Sequence, residues 1–236
     1  MPSRKKTNNR DCGIAVLDGF LQHKNVHRSA MQIKKEDIEQ QIAQEAKRIF
    51  LKKGFAQTSM REIAEKSGVG VSNIYNYYGG KDDLFCSIVA PVVNEFKEMI
   101  DSYHNPQNVD VTQQWMPGMA EKTAAEYSSI MHRYRDLLTL LLFKSAGSSL
   151  AHFKEEFTDE ATEMVLKYMD AMKQKYPALK WDFSPFFIHI NAVQLFTLLE
   201  EIIMHKISAK EAERIFAEYV NYHNNGWKQL IYNNLQ

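Results

Sequence analysis

The chain has 236 residues, 44% of them hydrophobic, and its 29 Lys and Arg balance 29 Asp and Glu. That length admits one or two domains with a sizeable core, and little glycine or proline beside plentiful Leu, Met, Glu and Lys favours helices. The two cysteines, Cys12 and Cys86, lie far apart with no metal-like spacing, which excludes a disulfide framework and points to reduced thiols in a cytoplasmic protein.

Neutrality hides an asymmetry. Residues 1–81 hold 15 Lys and Arg against 8 Asp and Glu, and the remainder holds 14 against 21. A basic front on an acidic body fits one end facing nucleic acid and the other avoiding it. The N-terminus lacks the continuous apolar core of a secretory signal.

In chain order, residues 1–32 show no period but carry a basic cluster at Arg4, Lys5, Lys6 and Arg10. Three readings fit them: a disordered tail, a true start at Met31, or a basic arm adding phosphate or minor-groove contacts. From 36 to 53, Ile38, Ile42, Ala46, Ile49 and Phe50 form one apolar stripe at helical spacing, ended by Gly54. In the next stretch, 58–81, Ser59 and Glu62 have the spacing of a capping box at a helix start. Ile63 and Ala64 face inward, and Gly68 supplies the positive φ of a sharp exit. Val69 follows as a buried plug. A second helix from Val71 to Tyr78 places Ile74 and Tyr78 inward. Val71, Ser72, Asn73, Asn76 and Tyr77 are left exposed, with Tyr75 at the edge. Gly79-Gly80 ends it and Lys81 follows. Ser and Asn can bond base edges or phosphates, Val can touch a thymine methyl, and Tyr or Lys can reach phosphate.

This stretch resembles the DNA-binding domain of the TetR (tetracycline-repressor-like) family of transcriptional regulators. The matching residues are Gly54-Phe55, Thr58-Ser59, Arg61, Ile63-Ala64, Gly68-Val69, Ile74-Tyr75, Tyr77-Tyr78, Lys81, Leu84 and Phe85. The resemblance implies an all-α fold of about nine helices: an extension (1–32), a three-helix helix-turn-helix DNA-binding domain (33–81), and a larger effector-binding and dimerisation domain (82–236). By position it places Arg61, Val71, Ser72, Asn73, Tyr75, Asn76, Tyr77 and Lys81 at a DNA interface. Arg61 and Val71–Asn73 would read bases, while Tyr75, Tyr77 and Lys81 would hold phosphate.

Beyond it, Asp82 is placed to cap a helix carrying Leu84, Phe85, Ile88, Val92, Phe96, Met99 and Ile100, with Pro91 as a candidate kink. Asn105-Pro106 marks a loop. A helix over 111–132 breaks near Pro117-Gly118. The leucine run from Arg133 to Leu150 reads as a central buried helix, and Phe153–Tyr176 as an amphipathic one. Ser184-Pro185 starts the next helix, to Lys206. Its apolar run is interrupted by His189, Asn191 and Gln194, so a buried helix is expected rather than a membrane span. Ser208 and Glu211 form a second capping box for the last helix.

The resemblance implies a homodimer through helices Pro185–Lys206 and Ala209–Leu230, which suits two reading helices about 34 Å apart on a palindromic operator. It also implies a cavity for a small apolar effector. Trp115, Met116, Met119, Tyr127, Phe143, Met164, Tyr168 and Met172 are candidate lining residues. Residues of these types at helical spacing are usually plain core, and periodicity does not separate the two readings. The function expected is a repressor released from its operator by ligand. The alternatives are a ligand-independent or protein-partnered DNA-binding regulator, whose body only dimerises or recruits a protein, and a helical-bundle enzyme. The last needs Glu-x-x-His pairs, and none of the eight histidines has a glutamate three residues before it. No metal or cofactor is expected.

Overall fold

The structure, a computed structural model, describes residues 30–105, 107 and 110–232; for residues 30–34 it gives only the helical backbone. Residues 30–32, the end of the expected extension, already belong to a helix, and the rest of the extension with its basic cluster lies outside the described residues. Among the described residues there are eight α-helices, one 3-10 turn and no strand. The helices are α1 (Ala30–Lys53), α2 (Met60–Ser67), α3 (Val71–Ile74), α4 (Lys81–His104), α5 (Met119–Phe143), α6 (Phe153–Lys175), α7 (Pro185–Met204) and α8 (Ala209–Tyr232). The 3-10 turn is Gln113–Trp115.

The described chain forms two compact units. The first runs to Ala90 and takes in Leu140–Phe153; the second holds Pro91–Thr139 and everything from Lys154. The division falls at a proline, the one place in α4 where the backbone ladder lacks a donor. It lies beyond Lys81, because Leu84, Phe85 and Val89 of α4 are buried with the three-helix core.

In the first unit the α1 stripe is realised: Ile42, Ala46, Ile49 and Phe50 are buried. Gly54 stops the helix with φ 80° and returns its N–H to the Phe50 carbonyl at 2.7 Å. Phe50, Phe55 and Phe85 meet as an aromatic trio, with centroids 5.2, 5.3 and 6.0 Å apart. The segment after α5 joins this core by backbone bonds: the Phe55 N–H reaches the Lys144 carbonyl, and the Ser149 N–H reaches the Asp82 carboxylate, both at 2.8 Å. Asp82 is thus occupied by Ser149, and the capping of α4 falls to Asp83, which accepts the Gly79 N–H at 2.7 Å. The leucine run is also shorter than expected. It forms the end of α5 rather than a helix to Leu150: α5 takes non-helical angles at Tyr134 (φ −119°, ψ 17°) and stops at Phe143, which is exposed.

The second unit has its own aromatic centre, Phe96, Phe157 and Phe196, with centroids 5.2–5.7 Å apart. The Arg135 guanidinium donates to the carbonyls of Ile207 (2.9 Å) and Ile202 (3.0 Å), fixing the turn between α7 and α8 where Lys206 takes φ 53°. Ser208 caps α8 through the Glu211 N–H at 3.2 Å. By length and composition α7 could cross a membrane. It is not wholly buried, as its composition suggested. Ile188, Phe196, Leu199 and Ile202 are buried on one side, whereas Phe186, Ile190 and Met204 are exposed on the other.

Candidate nucleic-acid interface and cavity

Two places in the described chain gather polar chemistry on an ordered frame: the α2–α3 turn in the first unit and a cavity in the second.

At the turn, the Ser59 hydroxyl accepts the Glu62 N–H at 3.2 Å, so the first half of the capping box forms. The Glu62 carboxylate does not close the second half; it pairs with Lys53 at 2.6 Å and ties α2 to α1. Gly68 ends α2 with φ 66°, and the Val69 N–H reaches back to the Ala64 carbonyl at 3.1 Å. That is the backbone pattern of a left-handed helix exit, which favours glycine. Gln41 of α1 donates to the Ser67 carbonyl at 2.7 Å and holds the exit in place. Val69 is only half-buried, less than the plug its position suggested.

The following helix is shorter than its sequence pattern. α3 proper is Val71–Ile74, and Asn76 and Tyr77 continue in a tighter turn, their N–H groups reaching Asn73 and Ile74. The local reason is composition: Val, Ser, Asn and Tyr are weak helix formers, and Gly70 offers no side-chain cap. Ile74 and Tyr78 are buried at 0% and 5% exposure, which fixes the opposite face outward. Burial, with the Glu39 carboxylate nearby, pushes the Tyr78 phenol up to about 12, so it stays neutral.

Of the residues assigned to DNA by sequence, Arg61, Val71, Ser72, Asn73, Tyr75 and Asn76 are exposed, and Tyr77 is half-buried. Asn76 donates to the Asn73 side chain at 3.1 Å, so the two amides act as one polar unit. The run from Gly68 to Gly80 contains no charged residue. Lys81 is placed differently from the others. Its ammonium donates to the carbonyls of Phe55 and Thr58, both at 2.8 Å, and lies 4.1 Å from the centre of the Phe55 ring. Desolvation lowers its pKa, partly opposed by Asp82. Lys35, which the sequence did not single out, has its ammonium 5.7 Å from the Tyr77 ring centre. A basic residue at the start of α1 was its only signal.

The second unit holds a half-open cavity of about 230 Å³. Of the eight candidates, Trp115, Met119, Tyr127 and Tyr168 line it. Met116 is exposed, Phe143 belongs to the first unit, Met164 is half-buried, and Met172 sits in a core cluster with Trp181 and Ile231. The rest of the wall comes from α4 (Tyr103, His104), from Gln114, from Phe157 and Met169 of α6, and from α7 and α8. Tyr219, His223 and Trp227 of α8 recur every four residues, a stripe legible in the sequence but assigned there to dimerisation alone.

Polar groups of this wall are largely partnered. The Tyr103 hydroxyl donates to Glu126 and accepts from Thr123, and the Gln114 amide donates to the Tyr103 carbonyl (3.0 Å) and Tyr168 hydroxyl (3.4 Å). Burial pushes the Tyr103, Tyr127 and Tyr168 phenols above their usual range. Burial lowers the His104 pKa to about 4 against the opposing Ile100 carbonyl, and its Nδ1 makes no hydrogen bond. His223 is lowered by burial too. Beside the cavity, Asp110 anchors the strap before α5. Burial pushes its carboxyl up, but bonds from Lys175, Thr112 and Tyr176 outweigh that and hold it far below the carboxylate range. Among the described residues no three His, Cys, Asp or Glu cluster as metal ligands would.

Residues 42–88 match the family model described as bacterial regulatory proteins, tetR family. Over 75 residues the chain is 28% identical to an uncharacterized HTH-type transcriptional regulator, YfiR, of Bacillus subtilis (strain 168); the match takes in 32% of this chain and 37% of that relative, so it spans well under half of either. In fold, the chain resembles a putative TetR-family regulator from Syntrophomonas wolfei, with TM-score 0.56 and 16% identity over 80% of this chain and 96% of that one. It also resembles NalD of Pseudomonas aeruginosa, with TM-score 0.54 and 17% identity over 83% and 98%. At such identities the likeness to solved structures concerns the fold. Residues 42–88 thus carry the sequence pattern of the tetR family of bacterial regulatory proteins, and the described helices resemble the fold of TetR-family regulators.

Proposed function

We propose that the protein is a sequence-specific DNA-binding transcriptional regulator. The observation that carries this is the outward face of α3 and its extension: Val71, Ser72, Asn73, Tyr75 and Asn76 are exposed, uncharged and backed by buried Ile74 and Tyr78. Such a face offers hydrogen-bond donors, acceptors and a methyl group to base edges in the major groove. Arg61 and Tyr77 complete the proposed interface, and Lys81, whose ammonium bonds the Phe55 and Thr58 carbonyls, braces it from within. The basic balance of residues 1–81 supplies the general attraction to phosphate.

The protein acts, in this reading, as a cytoplasmic homodimer on a palindromic operator, joined through α7 and α8. In support, Phe186 (68% exposed), Ile190 and Met204 of α7 and Tyr222 (75%) of α8 present large apolar side chains outward, a costly arrangement unless a partner covers them. A small effector enters the cavity and favours a state whose reading helices no longer match the operator. NalD, named as the secondary repressor of a multidrug efflux pump, makes repression the favoured sign.

The test is direct. Purified protein is mixed with double-stranded fragments of its own chromosome in dilute buffer, and bound fragments are sequenced. Enrichment of fragments sharing an inverted repeat is expected; a protein that retains no duplex at low salt is not such a regulator.

A further inference from the structure

The cavity wall contains a chemical restriction. Its lining residues include no Lys, Arg, Asp or Glu. The nearby Glu126 carboxylate is taken up by the Tyr103 hydroxyl and lies 3.8 Å from Lys122. The two histidines in the wall, His104 and His223, are both held towards the neutral form by burial. An ionised ligand entering here would shed its hydration shell with no opposite charge to replace it.

What the wall does offer is aromatic and aliphatic surface with a small polar edge. Trp115, Phe157, Phe196 and Trp227 give flat and edge-on ring contacts. Gln114 and Tyr168, 3.4 Å apart, together can give and take one hydrogen bond. At about 230 Å³ the space is below the roughly 300–1,000 Å³ of drug-sized pockets, so the occupant is compact.

We propose that this cavity selects a compact, uncharged molecule, an apolar body with one hydrogen-bonding group, and rejects the carboxylate and ammonium forms of the same skeleton. This deepens the effector reading above and rests on it only for the link to DNA.

The chain carries its own reporter. All three of its tryptophans, Trp115, Trp181 and Trp227, line the cavity. The experiment titrates the full chain at pH 7.5 with three non-fluorescent probes of one shape, adamantanol, adamantanecarboxylate and adamantanamine. Tryptophan fluorescence and calorimetry give the affinities. Adamantanol is expected to bind saturably, at least tenfold more tightly than either ion. Ala192→Phe, which fills the cavity, is expected to remove that binding while helical content and duplex binding persist. Ala161→Leu, a smaller filling change at another wall, serves if the first variant does not fold. Equal affinity for an ion, no saturable adamantanol binding, or binding that survives both variants overturns the proposal. Duplex release is scored separately. Selective adamantanol binding that leaves DNA occupancy untouched defeats the effector reading and keeps the charge rule; release by the ions as readily as by the alcohol does the reverse.

Discussion

Replacing Lys81 by methionine keeps the aliphatic stem and removes the ammonium, which separates two roles for this residue. In the structure the ammonium bonds the carbonyls of Phe55 and Thr58 at 2.8 Å and sits 4.1 Å from the Phe55 ring centre. Phe55 and Thr58 are buried, at 6% and 3% exposure, so their carbonyls are poorly placed to find water. A bond from a charged donor contributes ~1.5–3 kcal/mol when well shielded. Lys81 is itself half-buried, so about 1 kcal/mol per bond is the appropriate figure. The ammonium over the ring adds ~0.5–1 kcal/mol, for a loss of about 2–3 kcal/mol in all. Urea unfolding followed by circular dichroism measures it as a lower midpoint at unchanged slope. A lysine whose chief partner is a DNA phosphate behaves otherwise: its loss leaves stability alone and reduces the salt dependence of binding by about 0.9 in log–log slope. Should Lys81→Met unfold at the wild-type midpoint while the slope drops by that amount, the internal role assigned to the ammonium is wrong.

Three further outcomes are expected. Asn73→Ala leaves stability within ~0.5 kcal/mol because the residue is exposed, yet costs ~1–3 kcal/mol at one operator base pair; selection from randomised duplexes reveals the relaxed position, and Asn76→Ala relaxes the same one through their 3.1 Å bond. Gly68→Ala lowers stability by ~1–2 kcal/mol from backbone strain at φ 66° alone, since nothing lies within 4 Å of an added Cβ; thermal melts check this, and Gly68→Asn should recover part of the loss. His104, lowered from 6.5 to about 4 in the folded chain, makes the unfolded chain take up its proton first as pH falls. Its contribution is intact above 6.5 and lost progressively down to about 4, to a ceiling of about 3 kcal/mol. Asp110 acts in a separate window below 3.8, where its paired carboxylate is lost. Urea midpoints across pH should flatten between 7 and 4 in His104→Asn, with His223 leaving a smaller residual slope.

Local signals were legible wherever the partner lies within a turn or two. The Ser59 cap, the Gly68 exit and the inward pair Ile74 and Tyr78 depend on near neighbours, and the structure has each of them. Distant partners were not legible. Lys81 looks like a rim lysine because its acceptors lie 23 and 26 residues back. Asp82 looks like a cap because Ser149, 67 residues on, cannot be seen from it. The cavity shows a related limit. Periodicity tells which face of α8 is apolar but not whether that face meets side chains or empty space, so Tyr219, His223 and Trp227 gave no sign of a cavity. Phe143 misled for the opposite reason: α5 stops there, and an apolar residue at a helix end is left outside.

If the proposed interface is right, the absence of any charge between Gly68 and Gly80 divides labour along the chain. If bases are chosen by amides, a hydroxyl and a methyl group, added electrolyte has little to screen at that step. Ionic strength would then set how long the regulator stays on any duplex, while its preference for one sequence over another stays nearly constant. A cell that swells or dries would change occupancy everywhere in proportion, and the ranking of its binding sites would be preserved.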